Sequence, residues 1–146
     1  MRKFNMDSKH FIWSLIGFIC LVFPANVFSL DCEQHVNIGI DLHLSKSSSA
    51  IANDKTLMTK IQNHYEEALR LCPNICSKYP SVCNNLADIY KNQGKIDLAI
   101  QYFKKTISYK PDNGDSYFEL GAIYEQQGLL CSAMDCYLNA FTLNRS

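Results

Sequence analysis

The chain has 146 residues, with 14 Lys and Arg balanced by 14 Asp and Glu, 47% hydrophobic residues and seven cysteines. A chain of this size has room for one domain, and zero net charge excludes the basic excess of a nucleic-acid binder. A charged fraction of 19% beside 12% aromatics excludes a disordered acidic or basic tail.

Residues 1–29 differ from the rest. Arg2, Lys3 and Lys9 give a positive start, and the run from Phe11 to Phe23 is apolar. Pro24 follows it, and Val27 and Ser29 stand at the −3 and −1 positions of a cut before Leu30. This is the layout of a secretory signal peptide. An apolar run of this length rises only about 20 Å as a helix, short of a hydrocarbon core about 30 Å thick. Cleavage is therefore expected, leaving no stable membrane span and a periplasmic or secreted protein. An uncleaved signal tethering the chain to a membrane is the alternative. Lipidation at Cys32 is disfavoured, because Leu30-Asp31 lacks the small residue such a site needs. Removing residues 1–29 leaves 11 basic and 13 acidic groups and six cysteines, an even number that suits a disulfide-bearing exported chain.

The segment 32–46 carries two periodicities. Val36, Ile38, Ile40, Leu42 and Leu44 alternate with polar residues as in a strand, and β-branched residues favour that state. A lone strand has no sheet partner elsewhere in the sequence, so a helix is favoured. Ser47-Ser48-Ser49 and its neighbours, within 45–53, read as a flexible insertion. Leu57, Ile61, Tyr65, Ala68 and Cys72 then recur at helical spacing, with Asn53 or Asp54 as the cap.

From residue 80 the chain repeats itself at a period of 34. Leu86/Leu120, Ala87/Gly121, Ile89/Ile123, Tyr90/Tyr124, Gly94/Gly128, Ala99/Ala133 and Phe103/Tyr137 all stand 34 apart. Each copy holds two helical stretches separated by Gly94 or Gly128, where a turn can take positive φ. Pro111 marks the end of the first copy's second helix.

This pattern resembles the tetratricopeptide repeat (TPR), a helix–turn–helix unit of 34 residues. Leu86, Ala87, Tyr90, Ala99, Phe103 and Pro111 occupy the signature positions of 80–113. Tyr117, Leu120, Gly121, Tyr124, Ala133, Tyr137 and Ala140 occupy those of 114–146. Cys83, Thr106 and Arg145 depart from the usual aromatic, Ala and Pro. Upstream, Tyr65, Ala68 and Pro73 fit a second helix, and Ile38-Gly39-x-x-Leu42 fits a first helix if 45–53 is an insertion. Residues 30–79 then form a degenerate TPR-like unit. The resemblance implies an all-α fold, a short right-handed α–α superhelix, and a non-catalytic scaffold binding a protein or peptide partner in its concave groove.

By the same resemblance, the groove positions are Asn84, Asn85, Asp88 and Lys91, then Asp115, Phe118, Glu119, Ala122 and Glu125. Asn85 can hold a peptide backbone by donating and accepting together; segment 84–105 is similar to the repeats of O-GlcNAc transferases, which carry such asparagines. It reads equally as a solvated helix residue. Phe118 is either a ligand anchor or core packed on the preceding repeat. Four carboxylates against Lys91 imply weak binding of acidic tails and a preference for neutral or basic ligands, unless they are only a solvated face.

Cysteine chemistry offers a second class of function. No Cys-x-x-Cys exists among Cys32, Cys72, Cys76, Cys83, Cys131 and Cys136, which excludes a thioredoxin-type pair. Paired zinc-ligand spacing is also missing. Cys32, Cys72, Cys76 and Cys83 are candidates for structural bridges, with Cys83 placed to pin the turn after Pro73. Cys131 and Cys136 point about 140° apart on one helix and are expected to be small buried hydrophobes. No His-centred catalytic motif or phosphate-cradling loop appears, so neither an enzyme nor a cofactor is expected. Met134, Tyr137, Leu138 and Phe141 are expected at an uncapped C-terminal edge, implying self-association there (a homo-oligomer, as in an envelope component) or a longer array. Asn144-Arg145-Ser146 fits a glycosylation sequon.

Overall fold

The computed structural model describes residues 30–46, 50 and 53–144; from Asp31 onward they belong to one compact unit. The expected signal peptide, the expected loop at Ser47–Ser49 and the end of the sequon fall outside the described residues. Among the described residues, seven helices follow in order: α1 (Cys32–Leu44), α2 (Lys55–Leu71), α3 (Ile75–Lys78), α4 (Pro80–Asn92), α5 (Ile96–Tyr109), α6 (Gly114–Gln126) and α7 (Leu130–Leu143). The pairs α1–α2, α4–α5 and α6–α7 pack as successive hairpins, with α5 against α6. This is an all-α solenoid of helix–turn–helix units.

The ambiguous segment is helical because its start is firmly capped. The Asp31 carboxylate accepts from the Gln34 backbone N–H at 2.8 Å, and the Gln34 side chain accepts from the Asp31 N–H at 3.0 Å. This reciprocal pair satisfies two donors that a helix start leaves orphaned. Val36 and Gly39 are buried, three apart as on one helix face, while Leu44, last in the alternating series, is 77% exposed. Asp54 caps α2 from one side only, its carboxylate accepting from the Leu57 N–H at 3.0 Å and the Thr56 hydroxyl at 2.7 Å. Met58, Ile61, Tyr65 and Ala68 form its buried stripe.

The two later hairpins turn alike. Gly94 and Gly128 have φ of 73° and 75°. The Lys95 N–H reaches the Tyr90 carbonyl, and 34 residues on the Leu129 N–H reaches that of Tyr124, both at 2.9 Å.

A single contact sets how closely the first and last hairpins pack. A Cβ on Gly121 would lie 2.7 Å from Tyr137 Cδ1, and one on Gly39 would lie 2.5 Å from Tyr65 Cε1. The backbone of α1 therefore rests on the Tyr65 ring as α6 rests on Tyr137. Tyr65 and Phe103, at equivalent places, are both fully buried. Thr106, where the repeat usually has Ala, is fully buried too, and its hydroxyl donates to the Tyr102 carbonyl one turn back at 3.0 Å.

Two disulfides staple the first half. Cys32 joins Cys72, tying the start of α1 to the end of α2, and Cys76 joins Cys83, tying α3 to α4. Cys131 and Cys136 are free thiols. Cys131 is exposed, contrary to the expectation of a buried hydrophobe; it stands one repeat after Asp97, an equally exposed position. Cys136 is half-buried, and burial pushes its thiol above the ordinary range, with Asp135 adding.

Candidate interaction surface

Successive hairpins are knitted together by polar side chains, α4 to α2 and α6 to α4. From α4, Asn85 donates to the Tyr65 hydroxyl of α2 at 2.9 Å, and burial pushes that hydroxyl up to about 12 against the pull of Asn85. Tyr90 donates to Glu66 at 2.8 Å, and Gln93 to Gln62 at 2.6 Å. Between α4 and α6, the buried Ser116 hydroxyl donates to the Asn84 side-chain amide oxygen (Oδ1) at 2.6 Å. Lys91 reaches Glu119 at 2.5 Å and Asp88 at 3.4 Å.

These bonds change what the sequence-predicted residues can do. Asn85 is half-buried with one of its two side-chain N–H groups committed to Tyr65, leaving the other N–H and the side-chain oxygen for a ligand. Lys91, the one cation of the set, is spent between two carboxylates. Burial holds Asp88 above its ordinary carboxyl range; Lys91 pulls it down, while Glu119 and Asp115 push it up. Asp115 is exposed, Ala122 half-buried, and Glu125 exposed while accepting from the Tyr137 hydroxyl at 2.7 Å. The surface is consequently acidic.

Phe118 is not core packed on the preceding repeat, one of the two sequence expectations: it is 56% exposed. Two residues beyond Ser116, it lies on the opposite side of α6. Its ring meets Tyr137 at 5.6 Å between centroids, and it lines an open pocket of about 460 Å³ with Tyr137, Ala140, Phe141 and Asn144. The period of 34 pairs Phe118 with Asn84, a signal that marks it as a stacking position.

A histidine pair also escaped the sequence patterns. His35 of α1 and His64 of α2 face each other, Nδ1 to Nδ1 at 3.0 Å. Among the described residues, no group of three or more His, Cys, Asp or Glu is placed to hold a metal ion. None of the described helices is long and apolar enough to cross a membrane.

Residues 87–128 match the family described as TPR repeat, and residues 114–146 the one described as tetratricopeptide repeat. The chain carries tetratricopeptide repeats. Over 120 residues it is 28% identical to Protein O-mannosyl-transferase TMTC3 of Mus musculus, covering 80% of this chain and 13% of that protein. Over 127 residues it is 26% identical to Photosystem I assembly protein Ycf3 of a Synechococcus strain, covering 87% of this chain and 66% of that one. The TPR chain thus spans a small part of the transferase and just under two thirds of the assembly protein. The crystal structure of MamA superposes with a TM-score of 0.62 at 24% identity, covering 92% of this chain and 67% of that chain. That likeness shows the fold. TPR arrays are protein-interaction scaffolds.

Proposed function

We propose that the TPR chain is an exported, non-catalytic scaffold that holds a protein or peptide partner along the first helices of its hairpins. Residues 30–79 act in it as the first, degenerate repeat. The observation that carries the binding mode is the charge of this surface: Asp88, Asp115, Glu119 and Glu125 stand there, and Lys91 is already engaged by two of them. An extended segment bearing Lys or Arg suits such a surface, and an acidic tail does not. Titrating labelled oligolysine and oligoglutamate into the protein tests this. Oligolysine should bind in a salt-dependent way and lose at least tenfold in affinity in Asp115→Asn/Glu125→Gln. Tight capture of oligoglutamate would sink it.

Export is supported by the layout of residues 1–29 and by the two disulfides, which persist in oxidising compartments. The mass of the protein recovered from its host should correspond to a chain beginning at Leu30. A full-length chain retained in the cytosol would refute export. The small share of the transferase that the chain matches gives no basis for assigning it that enzyme's activity.

A further inference from the structure

The cysteines lack zinc-ligand spacing, but two histidines distant in sequence meet in the fold. His35 of α1 and His64 of α2 stand 29 residues apart, and their Nδ1 atoms face each other at 3.0 Å. The ring centroids are 5.2 Å apart and the ring planes are tilted by 42°. Those two separations together describe rings meeting tip to tip, so both Nδ1 atoms point into one gap. When both rings are neutral they share a single proton there: one donates its Nδ1–H and the other accepts.

The same placement suits a metal ion. Two Zn–N bonds of about 2.05 Å at a tetrahedral angle set the nitrogens about 3.3 Å apart and the ring centroids about 5.2 Å apart. The rings therefore need only pivot to open the Nδ1 gap by about 0.3 Å, with their centroids where they already lie. The protein loses no proton in the exchange. The donating ring moves its hydrogen from Nδ1 to Nε2 through solvent, and both Nδ1 lone pairs then turn to the ion.

The surroundings prepare the pair. The Cys32–Cys72 bridge fixes α1 against α2, one turn before His35 and about two turns after His64. Both histidines are half-buried, and so within reach of solvent. Glu67, three residues after His64, lies on the same helix face. Its bond to Arg70 holds the Glu67 carboxyl below the ordinary range, and the charge of His35 adds to this, so negative charge stands near the pair. Arg70 itself is tied to Glu67 through two nitrogens. Among the described residues no third ligand joins the two imidazoles, which leaves two of four tetrahedral positions to water.

We propose that His35 and His64 chelate one divalent transition-metal ion of the zinc type through their Nδ1 atoms, linking α1 to α2, with water completing the coordination. Imidazole suits zinc, copper and nickel, whereas magnesium and calcium take oxygen ligands. The ion is a second clamp on the first hairpin, and one that is not opened by reducing the disulfide beside it.

Calorimetric titration of zinc chloride into the oxidised full chain tests the site, with the free thiols alkylated first so that they cannot compete. One zinc per chain should bind, and His35→Gln and His64→Gln should each weaken binding at least tenfold. His43→Gln should leave binding unchanged, and magnesium chloride should give no binding heat. Unchanged far-UV circular dichroism shows that each variant folds; if one does not, the other and the spectra of the wild type carry the test. In nitrogen-15 spectra of the imidazoles, zinc should move the Nδ1 signals of both residues to metal-bound positions and leave Nε2 protonated. Saturating zinc should also raise the urea midpoint of the wild type and not that of the His35 or His64 variants. No binding at millimolar zinc, binding that survives either substitution or is lost in His43→Gln, one zinc shared by two chains, or coordination through Nε2 would each overturn the proposal.

Discussion

At Gly39 and Gly121 the absence of one carbon decides how near two helices come. Gly39→Ala would drive its methyl into the fully buried Tyr65 ring, and overpacking of this kind costs about 1–3 kcal/mol. The urea midpoint of the variant should fall, and Tyr65→Leu, which removes the ring, should restore part of the loss if the clash is its cause. The histidine pair yields a second expectation. Burial, with the charge of His35 adding, lowers His64 below its ordinary 6.5, and burial lowers His43 likewise. The unfolded chain then takes up protons that the folded chain resists, so stability present above pH 6.5 is lost as the pH falls through and below it. Denaturation midpoints should drop on acidification, and His43→Gln/His64→Gln should flatten that slope. At this scale the sequence was only partly legible. The polarity of Asn85, Asp88 and Lys91 could be read directly, but their partners could not. Tyr65 stands 20 residues before Asn85 and Glu119 stands 28 after Lys91, separations that only helix stacking brings together.

Among the elements, α4 to α7 were legible because the 34-residue period supplies a second copy against which each residue can be compared. The segment that became α1 had no such control. Its alternating apolar residues imitated a strand, and the Asp31-x-x-Gln34 capping box was the overlooked signal that decides for helix. The short α3 escaped notice because four residues give no periodicity to read. Likewise, the four bridging cysteines could be nominated from the sequence, but their pairing depends on how α1 and α2 lie against each other. The two bridges should differ in weight. Loop-closure entropy assigns roughly 4 kcal/mol to a closed loop of 40 residues and roughly 2.5 kcal/mol to one of 7. Guanidinium unfolding of Cys32→Ser/Cys72→Ser and Cys76→Ser/Cys83→Ser should rank the first pair as the costlier loss. The reverse ranking would mean that native-state contacts of α3 outweigh loop length.

The molecule as a whole is covalently uneven. Both bridges lie between residues 32 and 83, while α5, α6 and α7 are held without a covalent cross-link among the described residues. Reduction should therefore loosen one end of the solenoid first. Limited proteolysis after dithiothreitol should cut within 32–71 while a fragment spanning 87–144 resists; uniform digestion along the chain would contradict this. The same bridge has a mechanical meaning. A pull applied to the two chain termini passes across the Cys32–Cys72 sulfur bond and leaves the 39 enclosed residues slack. At about 3.5 Å per extended residue, the oxidised chain withholds roughly 140 Å of contour length that the reduced chain releases. Stretched as a tether, the protein would be short and stiff when oxidised, and long once a reductant had opened that bond.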